Sequence, residues 1–368
     1  MAASSSDFAA AAKIEEVTET ECVRAADDND IAPPPEEKEK LAAEVEEKEE
    51  ERAKAAWEID LSRVHIRAVV WHGSRSTVYR AEYGGQDVAV KVLDLGKDGL
   101  TAAEEEIARL EEHLAVWHGL PDHPNVARLV GASIRTTGLK IPGAATPPDD
   151  TAARCVVVVE FVSGRTLRAH LMNHHRRKLP YMDVLRLAQG MALGLSYLHA
   201  NGIVHGCVTT DNMLLLLDDV KIPDFGRVVS TDQMTAETAV YMAPEVFDGK
   251  PYDEKCDVYS FGMCLWEVYC CEAPLGDVVW RGVVEVAAHA RRRSGSGRPR
   301  LPMCCPGDLA TLMERCWDAD PERRPGMDEV VSRFMMLEAL DETKDWGMKP
   351  EKTPGCIGFL FGCGYGGD

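Results

Sequence analysis

The side chains best suited to chemistry lie in one stretch, residues 203–215, and in the Asp224-Phe225-Gly226 segment that follows it. The first stretch places an imidazole (His205), a thiol (Cys207) and an amide (Asn212) among apolar residues. A thiol with an ordinary pKa of about 8.5 is mostly neutral at pH 7, so Cys207 is neither a ready base nor a charged hydrogen-bond acceptor. Acid–base chemistry at neutral pH therefore cannot rest on Cys207.

The spacing of these residues resembles the catalytic loop of protein kinases, H-R-D-x-K-x-x-N, followed by D-F-G. In that family the loop Asp orients the attacking hydroxyl and accepts its proton, while the Asn and the D-F-G Asp hold Mg²⁺. The resemblance assigns Asn212 and Asp224 as the metal ligands. Gly206 stands at the family's Arg, Cys207 at its catalytic Asp and Thr209 at its Lys. The motif predicts the frame of a phosphotransferase without its central catalytic group.

The same resemblance predicts a site for ATP with Mg²⁺. Lys91 ends an apolar strand and corresponds to the lysine that holds the α- and β-phosphates. The glycine-rich loop G-x-G-x-x-G falls on Trp71, Gly73 and Ser76, so only one of its three glycines is present and the phosphate clamp should be weakened. Adenine is expected to bind the backbone of the link between lobes. The predicted nucleotide-binding residues are Gly73, Val78, Ala89, Lys91, Glu160, Val162, Leu214 and Asp224.

A helix predicted over Thr101 to Trp117 has to position the partner of Lys91. In kinases this partner is a Glu, and counting back from Trp117 places His113 at that position, with Glu112 beside it. Adjacent helix residues point about 100° apart, so Glu112 could serve only if the helix rotated. The sequence leaves open which of the two side chains faces Lys91.

The surrounding elements predict an α+β, two-lobed protein-kinase fold. It has a small antiparallel β-sheet N-lobe with one helix and a mostly helical C-lobe. A Gly84-Gly85 turn joins two of the strands, and a helix is predicted over Leu179 to His199. The predicted parts are an acidic disordered or helical extension (1–56), a kinase-like domain (57–341, with lobes 57–163 and 164–341) and a C-terminal tail (342–368).

Further motifs follow D-F-G. Ala243-Pro244-Glu245 matches A-P-E, and Arg324 corresponds to the arginine that pairs with this Glu in kinases. Thr238 stands where a substrate-loop Thr of the Ser/Thr type is expected. Within the family the chain looks like the plant Raf-like MAP kinase kinase kinases. This likeness is carried by Trp57-Glu58-Ile59-Asp60, Gly85 to Lys91, His123-Pro124-Asn125-Val126, Lys250-Pro251-Tyr252 and Cys264 to Cys271.

Two functions follow from the resemblance. The first is a pseudokinase that binds ATP weakly and acts as a regulatory or scaffold module, with other signalling kinases or protein substrates as partners. The second is an active Ser/Thr kinase that transfers the γ-phosphate of ATP to proteins. The loss of Asp, Lys and Arg from one loop favours the first function over the second.

Composition indicates which partners and which environment the protein is suited to. The 368 residues carry a net charge of −20, and residues 1–56 hold 17 acidic and 7 basic side chains. This balance argues against nucleic acid or an anionic membrane surface as the main partner. Twelve cysteines without a C-x-x-C pair favour a reduced environment rather than a zinc or disulfide framework. No apolar run approaches the roughly 18–20 residues that span a bilayer, so a soluble cytoplasmic protein is predicted.

Overall fold

The computed structural model describes residues 56–73, 76–94, 100–134, 139, 154–175, 178–217, 219–225, 235–279, 281–291 and 297–342. The chain divides into two compact units, residues 1–59 and 60–368, and the elements below belong to the second unit. The predicted segment before residue 56 and the predicted tail after residue 342 lie outside the described residues. The division into an extension, a domain and a tail therefore stays a prediction.

The N-terminal lobe is built on one antiparallel sheet. Its strands are β1 (Val64–His72), β2 (Ser76–Tyr83), β3 (Gln86–Asp94), β4 (Leu129–Ser133) and β5 (Arg154–Glu160). Their order across the sheet is β1-β2-β3-β5-β4, which makes β1 an edge strand. Gly84 and Gly85 join β2 to β3 with φ values of 58° and 82°, a left-handed turn that glycine adopts without steric cost. The predicted hairpin is confirmed.

One helix, α1 (Leu100–Gly119), packs against this sheet. Its buried residues Ile107, Leu114 and Trp117 recur at helical spacing, so burial of one face stabilises the helix. Trp117 Nε1 donates a hydrogen bond to Ala127 O at 3.0 Å, which ties the C-terminal end of α1 to the segment before β4. The helix predicted over Thr101 to Trp117 is confirmed.

The C-terminal lobe is mostly helical. Its helices are α2 (Leu167–Asn173), α3 (Tyr181–Ala200), α4 (Ala236–Ala239), α5 (Pro244–Phe247), α6 (Lys255–Cys270), α7 (Gly276–Val279), α8 (Val283–Ala290), α9 (Gly307–Cys316) and α10 (Met327–Glu342). Almost every residue of α6 is buried, and α3 packs against both α6 and α10. A β-carbon at Gly194 of α3 would lie 2.8 Å from Ile222 Cδ1, so glycine permits this close approach.

A two-stranded sheet, β6 (Leu214–Leu216) with β7 (Asp219–Lys221), follows a short 3₁₀ turn at Thr210–Asn212. It connects the loop that ends at Asn212, just before β6, to Asp224, which follows β7. Asn125 Nδ2 donates to Val220 O at 2.8 Å and so fixes β7 to the segment before β4.

The antiparallel sheet and the helical lobe confirm the predicted α+β, two-lobed kinase fold. In the part of the chain that is described, no helix is both long enough and apolar enough to cross a membrane.

Candidate active site

The loop that carries His205, Gly206 and Cys207 is held by helix α6. Asp257, which is only 1% exposed, accepts hydrogen bonds from the backbone N–H groups of His205 (2.7 Å) and Gly206 (2.9 Å). His199 Nε2 lies 3.0 Å from the same carboxylate. Gly206 has φ = 75°, in the left-handed region that favours glycine. A buried carboxylate and a glycine conformation therefore fix the path of the loop.

Cys207 occupies the position of the family's catalytic Asp and is bound to Asn212. Asn212 Nδ2 donates to Cys207 O at 2.9 Å and lies 3.2 Å from Cys207 Sγ. The Cys207 N–H donates to His205 Nδ1 at 3.2 Å. Sulfur is a weak acceptor, and a neutral thiol offers none of the negative charge that a carboxylate has at pH 7. Cys207 can help to place Asn212 but is not a ready proton acceptor.

Thr209, at the position of the family's Lys, is 5% exposed and caps the 3₁₀ turn. Its Oγ1 accepts a hydrogen bond from the Asn212 N–H at 3.2 Å. A hydroxyl that is committed to the backbone supplies no positive charge to a transferring phosphate. The catalytic loop is therefore ordered by threonine but carries no lysine cation.

Lys91 and Asp224 meet across the cleft between the lobes. Lys91 lies on β3, and its Nζ forms a hydrogen-bonded ion pair with Asp224 Oδ2. Both side chains are shielded, with exposed fractions of 19% and 34%. The structure thus brings together the two charged residues that the sequence assigned to phosphate and metal. In this arrangement they neutralise each other directly.

Helix α1 turns His113, not Glu112, toward this ion pair. The His113 ring contacts Phe225 edge-on, with ring centroids 5.1 Å apart, whereas Glu112 is exposed. Burial lowers the pKa of His113 below its ordinary value of 6.5. The negative charge of Asp224 partly opposes this effect, and the positive charge of Lys91 adds to it. A neutral imidazole therefore stands where the family has a carboxylate.

The predicted adenine side of the cleft is apolar. Val78 pairs with Lys91 across the β2–β3 ladder, and Ala89 precedes Lys91 by two residues, so all three side chains share one face of the sheet. Val162 is buried in the link between lobes, and Leu214 is half-buried at the start of β6. These positions match the resemblance, and their contact with a nucleotide stays a prediction.

Glu160 ends β5 and is held by contacts with Arg128 and Lys221. Its N–H donates to Arg128 O at 2.9 Å, and its Oε1 accepts a hydrogen bond from the buried Lys221 at 2.5 Å. At the opposite end of the cleft, the Gly73 N–H donates to Ser76 O at 2.9 Å across the β1–β2 hairpin. Residues 74 and 75 lie outside the described residues, as does Gly226.

The A-P-E pairing predicted from the sequence is present. Arg324 binds Glu245 through two hydrogen bonds, Nη1 to Oε1 at 2.6 Å and Nη2 to Oε2 at 2.9 Å, and both residues are buried. Thr238 is exposed, and its hydroxyl donates to Thr235 O at 3.0 Å in a capping box at the start of α4. Thr238 also lines a small, open recess together with Cys207 and Thr209.

Sequence reasoning missed a buried network beneath the loop. Glu267 of α6 is fully buried, and its Oε2 accepts hydrogen bonds from Thr210 Oγ1 (2.8 Å) and Tyr241 OH (2.5 Å). Arg168 Nη1 lies 3.7 Å from Glu267 Oε1. Burial raises the pKa of Glu267, while the hydrogen bonds from Tyr241 and Thr210 oppose that rise. An acidic residue inside the apolar run of α6 was the available signal, because a buried carboxylate needs partners.

The comparisons with known proteins identify the family of the chain. A sequence model of the family described as protein tyrosine and serine/threonine kinase matches residues 64–334. The chain therefore belongs to the protein kinase family, and the resemblance predicted from its catalytic-loop motif is confirmed.

Three similar proteins come from Arabidopsis thaliana. Serine/threonine/tyrosine-protein kinase HT1 is 33% identical over 302 residues, which cover 79% of this chain and 70% of HT1. Serine/threonine-protein kinase STY46 is 32% identical over 327 residues, with coverage of 83% and 49%. Serine/threonine-protein kinase STY17 is 30% identical over 289 residues, with coverage of 76% and 46%. The chain thus spans about half the length of the last two.

Proposed function

We propose that this chain is a kinase-fold signalling module that binds ATP and Mg²⁺ weakly and transfers phosphate poorly or not at all. It would act as a regulatory or scaffold component of a MAP kinase kinase kinase-like pathway, with other signalling kinases or their protein substrates as partners. A cytoplasmic location belongs to the same proposal. The observation that carries it is the catalytic loop, where Gly206, Cys207 and Thr209 replace the family's Arg, Asp and Lys.

Each replacement removes a separate contribution to phosphoryl transfer. Loss of a positioned general base typically costs about 10²–10⁴ in rate. Loss of a cation aimed at developing negative charge costs about 10²–10³, by analogy with other electrostatic deletions. Thr209, buried in its cap, cannot reach out as lysine does. Gly206 also offers no guanidinium to bind a phosphate on the activation segment.

The residues that remain fit a nucleotide with Mg²⁺. Asp224 offers a carboxylate and Asn212 an amide oxygen, and hard oxygen donors suit Mg²⁺. Asn212 uses its Nδ2 for Cys207, so Oδ1 is the atom that would bind the ion. Lys91 would turn from Asp224 to the α- and β-phosphates. When bound, ATP would supply the γ-phosphoryl group, and the weak glycine loop supports low affinity.

An active Ser/Thr kinase is the second candidate. Lys91, Asn212 and Asp224 favour it because they are present and correctly ordered, and the similar Arabidopsis proteins are named as kinases. The two candidates share nucleotide binding and differ only in transfer.

A transfer assay beside a binding assay separates them. The purified full chain is incubated with ATP, Mg²⁺ and a Ser/Thr peptide panel, and its melting temperature is measured with and without ATP and Mg²⁺. We expect a modest, magnesium-dependent rise in melting temperature that Lys91→Met reduces, with no peptide phosphorylation above the Lys91→Met background. Peptide phosphorylation that Lys91→Met abolishes would establish the active kinase instead.

A further inference from the structure

Trp71 lies on the cleft face of the N-lobe sheet. It pairs with Val78 on β2, and Val78 pairs with Lys91 on β3. Directly opposed residues of antiparallel strands project from the same face, so these three side chains share one face. Lys91 reaches Asp224 from that face, which identifies it as the one that lines the cleft.

The indole of Trp71 covers the backbone of Gly73. A β-carbon built on Gly73 would lie 2.1 Å from Trp71 Cη2 and 2.7 Å from Trp71 Cζ3. While the indole keeps this position, residue 73 has no room for a side chain, because the ring, which is itself 54% exposed, fills the space directly above it. The Gly73 N–H is also committed to Ser76 O. An anion could reach this part of the backbone only after the indole had moved.

The side chains in the cleft offer little unpaired positive charge to balance the negative charge of a triphosphate. Lys91 is paired with Asp224. The same face of the sheet also carries Val78 and Ala89, whose apolar side chains suit a flat heterocycle. The cleft is thus better prepared for a base with its ribose than for three phosphates.

We propose that Trp71 makes this cleft select an uncharged purine nucleoside over the corresponding nucleoside triphosphate. Trp71 acts as a specificity-determining residue because its indole blocks the approach to Gly73 that phosphates need. The inference rests on the proposed nucleotide cleft and adds to it the class of ligand preferred there.

The test measures dissociation constants of the full chain by calorimetry for adenosine, ADP and ATP, each with and without Mg²⁺. We expect wild-type protein to bind adenosine at least as tightly as ATP. Trp71→Gly, which restores the family's glycine, should tighten ATP binding tenfold or more and change adenosine binding by less than about threefold. Val69→Gly is the matched control: it alters the same strand at a residue that is 60% exposed and pairs with Tyr79, on the other face of β2 from Val78. It should leave the ratio of the two affinities unchanged.

Each outcome either supports or overturns the inference about Trp71. Wild-type protein that binds ATP tenfold or more tightly than adenosine would overturn the inference and leave the proposed nucleotide site standing. An unchanged affinity ratio in Trp71→Gly would likewise overturn it. If neither ligand bound to any variant, both the inference and the nucleotide site would fail. Should Trp71→Gly not fold, Trp71→Ala replaces it, and the wild-type ratio is decisive by itself.

Discussion

Cys207 and Thr209 are two residues apart in the sequence, and both contact Asn212. The Asn212 side chain is bound at Cys207, and its backbone N–H is bound at Thr209. The replacements therefore preserve the order of the loop while removing its charges. This separation of structure from chemistry explains how the loop stays ordered without a catalytic Asp.

Restoring the catalytic Asp alone should fail to restore transfer. Cys207→Asp supplies a carboxylate, but Thr209 still provides no cation. His113 also still occupies the position of the family's Glu, which would pair with Lys91. We expect Cys207→Asp to stay within about threefold of wild type in a Ser/Thr peptide assay. The double variant Cys207→Asp, Thr209→Lys should exceed the sum of both single variants, because groups in one catalytic unit are not additive.

Thr209→Lys alone is the matched control for this pair. Recovery by Cys207→Asp alone to the rate of an ordinary kinase would show that the remainder of the site was intact. That result would contradict the roles assigned here to Thr209 and His113.

Helix α1 determines which side chain reaches the cleft. Ile107, Leu114 and Trp117 fix its rotation by burial, and that rotation turns His113 toward Phe225 and leaves Glu112 in solvent. The helix cannot offer Glu112 to Lys91 without exposing its apolar face. Packing of the whole element thus decides a question that the sequence left open.

Burial of His113 should make folding stability depend on pH. The folded-state pKa lies below the unfolded value of 6.5, so the unfolded chain binds more protons as pH falls below that value. The free energy of unfolding should therefore decrease as the pH is lowered from 7.5 to 5.5. This one group contributes at most about 1.4 kcal/mol per pH unit. His205, fully buried with a lowered pKa, adds in the same direction. Urea unfolding at several pH values measures the slope.

His113→Phe should reduce that slope, because phenylalanine keeps the ring contact with Phe225 and has no proton to bind. Asp224, Lys91 and His205 surround residue 113 and stay unchanged in this variant. His118→Phe, at an exposed position of the same helix, is the control. A slope that His113→Phe left intact would show that His113 does not titrate as described.

Most of the helices, strands and site residues could be predicted from the sequence, and the exceptions have physical causes. Lys91, Asn212 and Asp224 follow from local motifs, so their positions were visible in the sequence. The placement of Trp71 over Gly73 was not, because irregularities in β1 after Ile66 and after Val69 shift the register of its pairing. A one-residue shift changes which face a side chain occupies, and no local pattern reveals it.

The contacts between α6 and the catalytic loop could not be predicted for a different reason. Asp257 and Glu267 contact residues that lie 51 to 57 positions earlier in the chain. The apolar composition of α6 marks it as a buried helix but does not identify the partners of its acidic residues. Only the packed lobe brings these partners together.

At the scale of the whole molecule, one buried ion pair joins distant parts of the C-lobe. Arg324 binds Glu245, 79 residues away, and also donates to Lys255 O at 2.9 Å and Asp318 O at 2.8 Å. A buried bidentate pair is costly to break from one side, because the remaining charge is left without a partner. This contact therefore links α5, α6 and the segment before α10.

Arg324→Met should lower the free energy of unfolding by about 3–5 kcal/mol, since Glu245 would stay buried and unpaired. Arg315→Met is the matched control, because Arg315 also binds its partner Glu329 through two guanidinium nitrogens, but both side chains are only half-buried. The control should cost less than about 1 kcal/mol. Urea unfolding of both variants measures the difference, and equal losses would contradict the ranking.

The central claim is that this kinase-fold chain has lost effective phosphoryl transfer. The most direct measurement is a single-turnover reaction with the full chain in excess over labelled ATP and Mg²⁺, beside the Lys91→Met variant. Phosphate incorporated into the chain and into a Ser/Thr peptide is counted separately from free phosphate. We expect the same incorporation rate for both proteins, at background. A wild-type rate of tenfold or more above Lys91→Met would contradict it.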